Sequence, residues 1–253
     1  MTTDAPTIEE RATQRPPGFT HPEWARRFPW LVQGTTGRGE AARPFDLGLF
    51  AAASPAERVS GNWTALRNDT GMPRAVHAHQ AHGAAVRLHH PGPPGLHVAD
   101  PCDGHATSAP GVLLAVTVAD CVPVFVVDPR RRAVALLHAG WRGAAQGILE
   151  AGLRVLTERM GSTASDLEVH LGPSICGSCY EVGPEVFAAL GLSEPDEPVP
   201  LDLRAALADR AAAAGVPRDG LTVSDRCTLC GPGLFSHRGG RAERQVGYLG
   251  VRP

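Results

Sequence analysis

The chain has 253 residues, 43% hydrophobic and 20% charged, enough to bury a sizeable core in one large domain or two small ones. A formal net charge of −2 gives no electrostatic drive toward nucleic acid or an anionic membrane surface. All 24 basic residues are arginine, which excludes a lysine Schiff base, a P-loop lysine and a lysine general base.

Met1 to Pro17 is polar and lacks an apolar signal core. With the residues up to 20 it reads as a disordered tail, leaving 21–253 as a single domain. Trp30 to Thr36 reads as a strand and Gly37 to Pro44 as a polar loop. Pro55 to Thr70 contains a short helix, with Ser54 as N-cap and Pro55 at its first position. Ala75 to Gln80 is a strand closing at His82-Gly83, and His89 to Leu96 is a loop rich in His, Pro and Gly. Three apolar strands follow, Val112–Val118, Val122–Val127 and Val134–Leu137. Ala144 to Met160 is the longest predicted helix, stopped by Gly161. Leu167–Leu171 reads as a strand, Pro184–Leu190 and Leu201–Ala214 as helices, and Leu221–Ser224 and Gln245–Val251 as closing strands. The alternation is not a clean βαβ rhythm, so the fold class is mixed α/β or α+β. No run reaches the roughly 18 apolar residues of a membrane span. The expected location is the cytoplasm, where the six cysteines are thiols or ligands rather than disulfides.

Two strands end on residues that can do chemistry. Val112 to Val118 leads into Asp120-Cys121, and Ala133 to Leu137 leads into His138-Ala-Gly-Trp-Arg142-Gly. If the strands are neighbours, Cys121 and His138 meet, either as metal ligands or as a nucleophile and its base. A catalytic zinc takes three protein ligands plus an open position, and His82 is the best third ligand. The alternative uses Cys121 as nucleophile with His138 or His82 as base, and spacing alone does not separate the two. Cys176-x-x-Cys179 and Cys227-x-x-Cys230 have the spacing of a closed structural zinc site. Arg142, in a glycine-flanked turn, could hold phosphate or a carboxylate bidentately. Asp103 could act as general acid or base. Ser236-His237-Arg238 is a further polar cluster.

At these residues the chain resembles the YfiH family, also called laccase-domain or polyphenol-oxidase-like proteins. The matching motifs are Gln80-Ala-His82-Gly83, Asp103-Gly104, Thr117-Val-Ala-Asp120-Cys121-Val-Pro123, His138-Ala-Gly-Trp-Arg-Gly143, Leu171-Gly-Pro-Ser-Ile175, Cys179-Tyr-Glu-Val182, Asp225-Arg-Cys-Thr228 and Phe235-Ser-His-Arg238. They cover about residues 30–252 in family order. The resemblance implies mixed β-sheets layered between helices, a sandwich related to the cytotoxic necrotising factor catalytic domain. It implies a zinc site, with copper as an alternative ion, ligated by His82, Cys121 and His138. Gln80, Arg142, His237 and Arg238 become candidate substrate-binding residues. The family's Arg-x-Gly-Gly-type loop reads Gly37-Arg-Gly-Glu-Ala-Ala here.

The resemblance implies a purine nucleoside enzyme, acting by phosphorolysis of adenosine, inosine or methylthioadenosine and by adenosine deamination. Its partners would be a nucleoside and phosphate, with no nucleic acid and no membrane, in a monomer or homodimer. Three other readings stand beside it: an amidase editing peptidoglycan precursors, a copper-dependent polyphenol oxidase, and a non-enzymatic metal-binding protein. A multicopper oxidase holds about four copper ions on mainly His ligands, more than one three-ligand site offers.

Overall fold

The computed structural model describes residues 5–253; residues 1–4 of the expected tail lie outside the described residues. In chain order, strands β1 (Thr7–Ile8), β2 (Arg11–Gln14) and β3 (Pro17–Thr20) precede helix α1 (Pro22–Arg27) and strand β4 (Leu31–Thr36). A small hairpin, β5 (Gly39–Glu40) and β6 (Arg43–Pro44), leads to helix α2 (Ala56–Thr70). Four short strands follow: β7 (Arg74–Ala78), β8 (Val86–Leu88), β9 (Gly95–Ala99) and β10 (Gly104–Thr107). The central strands are β11 (Val112–Val118), β12 (Val122–Asp128) and β13 (Ala133–Ala139). Helices α3 (Trp141–Ala145) and α4 (Ile148–Arg154) lead to β14 (Glu168–Leu171) and β15 (Glu181–Val182). The chain closes with α5 (Pro184–Leu190), β16 (Val199–Pro200), α6 (Leu203–Ala213), β17 (Leu221–Ser224) and β18 (Gln245–Val251).

Two seven-stranded mixed sheets are stacked, one ordered β1-β17-β14-β12-β13-β10-β8 and the other β2-β3-β4-β18-β11-β7-β9. Side chains alternate along a strand, and β12 shows what this does. Phe125 and Val127 point between the sheets, with Val134, Leu136, Leu114, Val116 and Leu249. Val122, Val124 and Val126 point the other way, onto Ile148 and Leu149 of α4 and Leu207 of α6. On the far face of the second sheet, Leu113, Ala115 and Val246 pack on Val59, Trp63 and Leu66 of α2. The order of layers is helices, sheet, sheet, helix, as mixed sheets layered between helices require. Strands buried on both faces read as unbroken apolar runs, which is why β11 to β13 are legible in the sequence.

Three local expectations are corrected. Residues 5–20 are not a tail: β1 pairs parallel with β17, and β2 and β3 add to the edge of the other sheet. The buried Glu10 carboxylate holds them, accepting from Ser224 Oγ at 2.6 Å and facing His170 Nε2 at 3.3 Å. Helix α2 begins after Pro55, which occupies the N-cap with no side-chain cap, so Ser54 does not serve there. The predicted helix Ala144–Met160 is broken, because Gly147 adopts a left-handed φ of 86° between α3 and α4. Beyond α4 the last turn widens into a π-helical segment, Val155–Arg159.

Candidate metal centre and its two cavities

Strand register builds the site. Antiparallel pairing of β10 with β13 sets Gly104 opposite Leu137, so Asp103 falls beside His138. Pairing of β12 with β13 sets Val122 opposite Ala139, so Cys121 falls across from Gly140. His82 comes from the loop after β7, with its backbone at φ 58°, in the left-handed region. One nitrogen of His82, the Cys121 thiol and one nitrogen of His138 all lie within 4.8 Å of one another.

The backbone at Gly140 allows this approach. A Cβ there would stand 2.9 Å from Cys121 Sγ and 3.2 Å from His82 Cδ2. Only a residue without a side chain leaves room for the donors to converge.

Asp103 organises the donors and is itself almost fully buried. Its Oδ1 accepts from His138 Nδ1 at 2.9 Å and from the His82 backbone N–H at 2.9 Å. Its Oδ2 accepts from the backbone N–H groups of Gly83 at 2.8 Å and Ala81 at 3.1 Å. Burial disfavours its charge, but these bonds, led by that from His138, hold the carboxyl below its ordinary range. With Nδ1–H given to Asp103, Nε2 of His138 is the nitrogen available to a metal. Asp103 lines neither cavity described below, so it has no direct route to a substrate proton.

Desolvation opposes ionisation of Cys121, yet the adjacent His138 and hydrogen bonds to His138 and His82 bring the thiol down to about 6. Burial likewise disfavours the His138 cation, but Cys121 and Asp103 raise it to about 9. Two imidazole nitrogens and a thiol sulfur converging within 4.8 Å are the donor set of a soft divalent ion such as zinc.

Asp120 was passed over by the sequence reading except as part of a motif. It has a left-handed φ of 92°. Its Oδ1 accepts from Thr228 Oγ1 at 2.5 Å, its Oδ2 from the Arg238 N–H at 2.7 Å, and its carbonyl from the Ile175 N–H at 3.0 Å. Three distant segments thus fix the residue before Cys121. A non-glycine residue in this conformation persists only when its surroundings over-determine it.

Two cavities share the wall formed by His82, Ala119, Cys121 and His237. One, of about 390 Å³, is lined by Gly48 to Ala51, His79, Gln80, Thr117 and Arg244. The other, of about 290 Å³, is lined by Gly140 to Arg142, Ile175, Tyr180, Leu203 and Arg238. Gln80 reaches the first, but its amide is engaged: Nε2 donates to Thr117 O at 2.9 Å, and Oε1 accepts from Thr117 N and Oγ1, each at 2.7 Å. Arg142 is exposed, its guanidinium 4.2 Å from the Trp141 ring centroid. Arg238 donates to Glu181 O at 3.2 Å and lies over Tyr180. Burial raises the Tyr180 phenol to about 12, so it stays a neutral donor. Phe50, 53% exposed, was not anticipated, because it sits in a loop with no periodic signal; His79, 5.2 Å away between ring centroids, lies just past the end of β7, inside the segment expected as a strand.

The Gly37–Pro44 loop is a hairpin, pinned where the Arg38 N–H donates to Gly233 O at 2.7 Å. Cys176, Cys179, Cys227 and Cys230 also come together, with their sulfurs within 4.8 Å of one another, apart from the His82–Cys121–His138 group.

A doubly layered mixed sandwich with a two-histidine, one-cysteine donor set defines the class. A family profile described as "Multi-copper polyphenol oxidoreductase laccase" matches residues 36–251. A purine nucleoside phosphorylase of Mycobacterium tuberculosis is 37% identical over 219 residues, 82% of this chain and 85% of the relative. Purine nucleoside phosphorylase YlmD of Geobacillus stearothermophilus is 34% identical over 255 residues, 89% of this chain and 92% of the relative. An adenosine deaminase, RL5, of an unknown prokaryotic organism is 37% identical over 139 residues, 51% of this chain and 53% of the relative. The crystal structure of YlmD from Geobacillus stearothermophilus superposes with a TM-score of 0.88 at 29% identity, covering 98% of this chain and all of that one. The chain belongs to the laccase-domain, or YfiH, family and is an enzyme of it. Among the described residues, no helix is long and apolar enough to cross a membrane.

Proposed function

We propose that this protein is a zinc-dependent purine nucleoside enzyme, cleaving adenosine, inosine or methylthioadenosine by phosphorolysis and deaminating adenosine, with residues 5–253, the N-terminal strands included, acting as one catalytic domain. The observation that carries the reading is the pair of cavities on either side of one metal-capable wall. His82, Cys121 and His138 would hold the zinc. When bound, it supplies Lewis acidity to an oxygen nucleophile.

The remaining work falls to side chains. Arg142 and Arg238 offer guanidinium donors to phosphate in the smaller cavity. Phe50 offers a ring face to the purine in the larger cavity, where His79 and His237 also face the nucleoside. In phosphorolysis a phosphate oxygen bonds to C1′ as the bond to the purine nitrogen breaks. The base leaves with that electron pair and takes up a proton, which His79 or His237 is placed to hand over. In deamination water adds at C6 and ammonia departs. Asp103 is a positioning residue here, setting His138 and the His82 backbone, rather than the proton carrier its loop position suggests.

The test is chromatography of products from zinc-loaded protein with adenosine, with and without phosphate, beside Cys121→Ala. Adenine release that requires phosphate, or inosine formation, lost in the variant, is the expected result. A Cys121→Ala protein that keeps its zinc and turns over normally would overturn the reading.

A specific observation favours one alternative. A thiol brought to about 6 beside an imidazole raised to about 9 is also the pairing a cysteine nucleophile needs. Amide hydrolysis that survives a chelator but not Cys121→Ser would mark a cysteine amidase instead.

A further inference from the structure

The second cysteine cluster has a geometric origin. β14 and β17 pair in parallel, with Leu171 opposite Val223, so both strands leave the sheet at the same end. The loops that follow stay together: Ser174 bridges to Cys227, and the Thr228 N–H donates to Ser174 O at 3.0 Å. The four sulfurs lie within 4.8 Å of one another, and Cys176 Sγ is 3.9 Å from Cys230 Sγ. A tetrahedral zinc with bonds of about 2.3 Å sets its sulfurs about 3.8 Å apart. A disulfide would hold two of them at about 2.05 Å, and all four cysteines are free. Cys227 Sγ also accepts backbone N–H groups from Cys176 at 3.3 Å and Cys230 at 3.5 Å. Backbone donors aimed at the Cys227 sulfur suit it to serve as an anionic ligand of a soft cation.

We propose that Cys176, Cys179, Cys227 and Cys230 form a second, closed zinc site that fastens two loops against the residue preceding Cys121. Four sulfur ligands leave no open position, so its role is structural. Each loop reaches the first site directly. Ile175 donates its N–H to Asp120 O at 3.0 Å and lines the smaller cavity; Thr228 donates to Asp120 Oδ1 at 2.5 Å. Tyr180, one residue past Cys179, lines the same cavity. Zinc here sets the wall of the arginine-lined cavity without touching its contents.

Metal analysis of the purified full chain tests this without any turnover assay. Two zinc ions per chain are expected, with one left in Cys176→Ser/Cys230→Ser and one left in Cys121→Ala/His138→Ala. If the first variant does not fold, the second decides alone. Reconstituted with cobalt(II), it should show the intense sulfur-to-metal charge-transfer bands of a four-thiolate tetrahedral site. Loss of all zinc in Cys121→Ala/His138→Ala overturns the proposal. So does a disulfide among these cysteines in the non-reduced protein, or the visible spectrum of iron bound to sulfur.

Discussion

Gly140 and Asp103 act on the same three donors from opposite sides. Gly140→Ala places a methyl group 2.9 Å from Cys121 Sγ. Accommodating it should cost about 1–3 kcal/mol and lower the zinc content, read by denaturation and metal analysis of one preparation. Asp103→Asn removes the charge that holds His138 Nδ1–H and the loop at His82. Zinc affinity should fall about 10–100-fold, as when the partner of a ligating histidine is lost, in competition titration against a chromophoric chelator. Both donors and support were partly legible in the sequence. Cys121 and His138 stand where apolar runs end, and His82 follows a strand of its own. The role of Asp103 was not legible, because it depends on four hydrogen bonds set by register. Asp120 was hidden for a related reason: its partners Ile175, Thr228 and Arg238 lie far along the chain.

Among the elements, α2 shows how one helix closes a layer. Trp63 is 1% exposed, packs under the second sheet, and donates its indole N–H to Leu47 O at 3.0 Å. Trp63→Ala should destabilise the protein by about 3–5 kcal/mol in urea unfolding. The larger cavity should open with it, since Leu47 carries the chain into Gly48 to Ala51. Long elements with a strong apolar pattern, such as β11 and β12, could be read from residue types alone. The break between α3 and α4 could not, because Ala144 and Ala145 before Gly147 and Ile148, Leu149 and Leu153 after it are all compatible with one continuous helix. Tertiary contacts decide it: Arg210 donates to Ala144 O at 2.5 Å and to Glu150 Oε1 at 2.7 Å, clamping both helices. The N-terminal strands were missed because they are short and largely polar; β1 pairs more than 200 residues away, Thr7 with Val223, while β2 and β3 only extend the sheet edge beside β4.

Across the whole molecule, buried histidines set the response to acid. Burial lowers His21 to about 3 and His77 to about 4, and burial with nearby arginines lowers His89 to about 4. All three are neutral in the fold, whereas the unfolded chain protonates them near 6.5. Between those values the unfolded state binds more protons, so the contribution of these three histidines to stability is full above pH 6.5 and falls as pH drops toward 4. Thermal unfolding across that window should show a steady decline. His77→Gln should flatten it, because His77 sits wedged between Trp63 and Phe50 with Nε2 unpartnered.

The shared wall of His82, Ala119, Cys121 and His237 also governs traffic. On the proposed phosphorolysis, phosphate and nucleoside occupy two cavities flanking a shared wall, so neither cosubstrate lies in the other's cavity. Initial-rate plots for phosphate against nucleoside should intersect, and each should bind the free enzyme, the pattern of random addition. The free base should compete with nucleoside while leaving the arginine-lined compartment open to phosphate. A purine analogue long enough to pass the wall would occupy both compartments and compete with both cosubstrates at once.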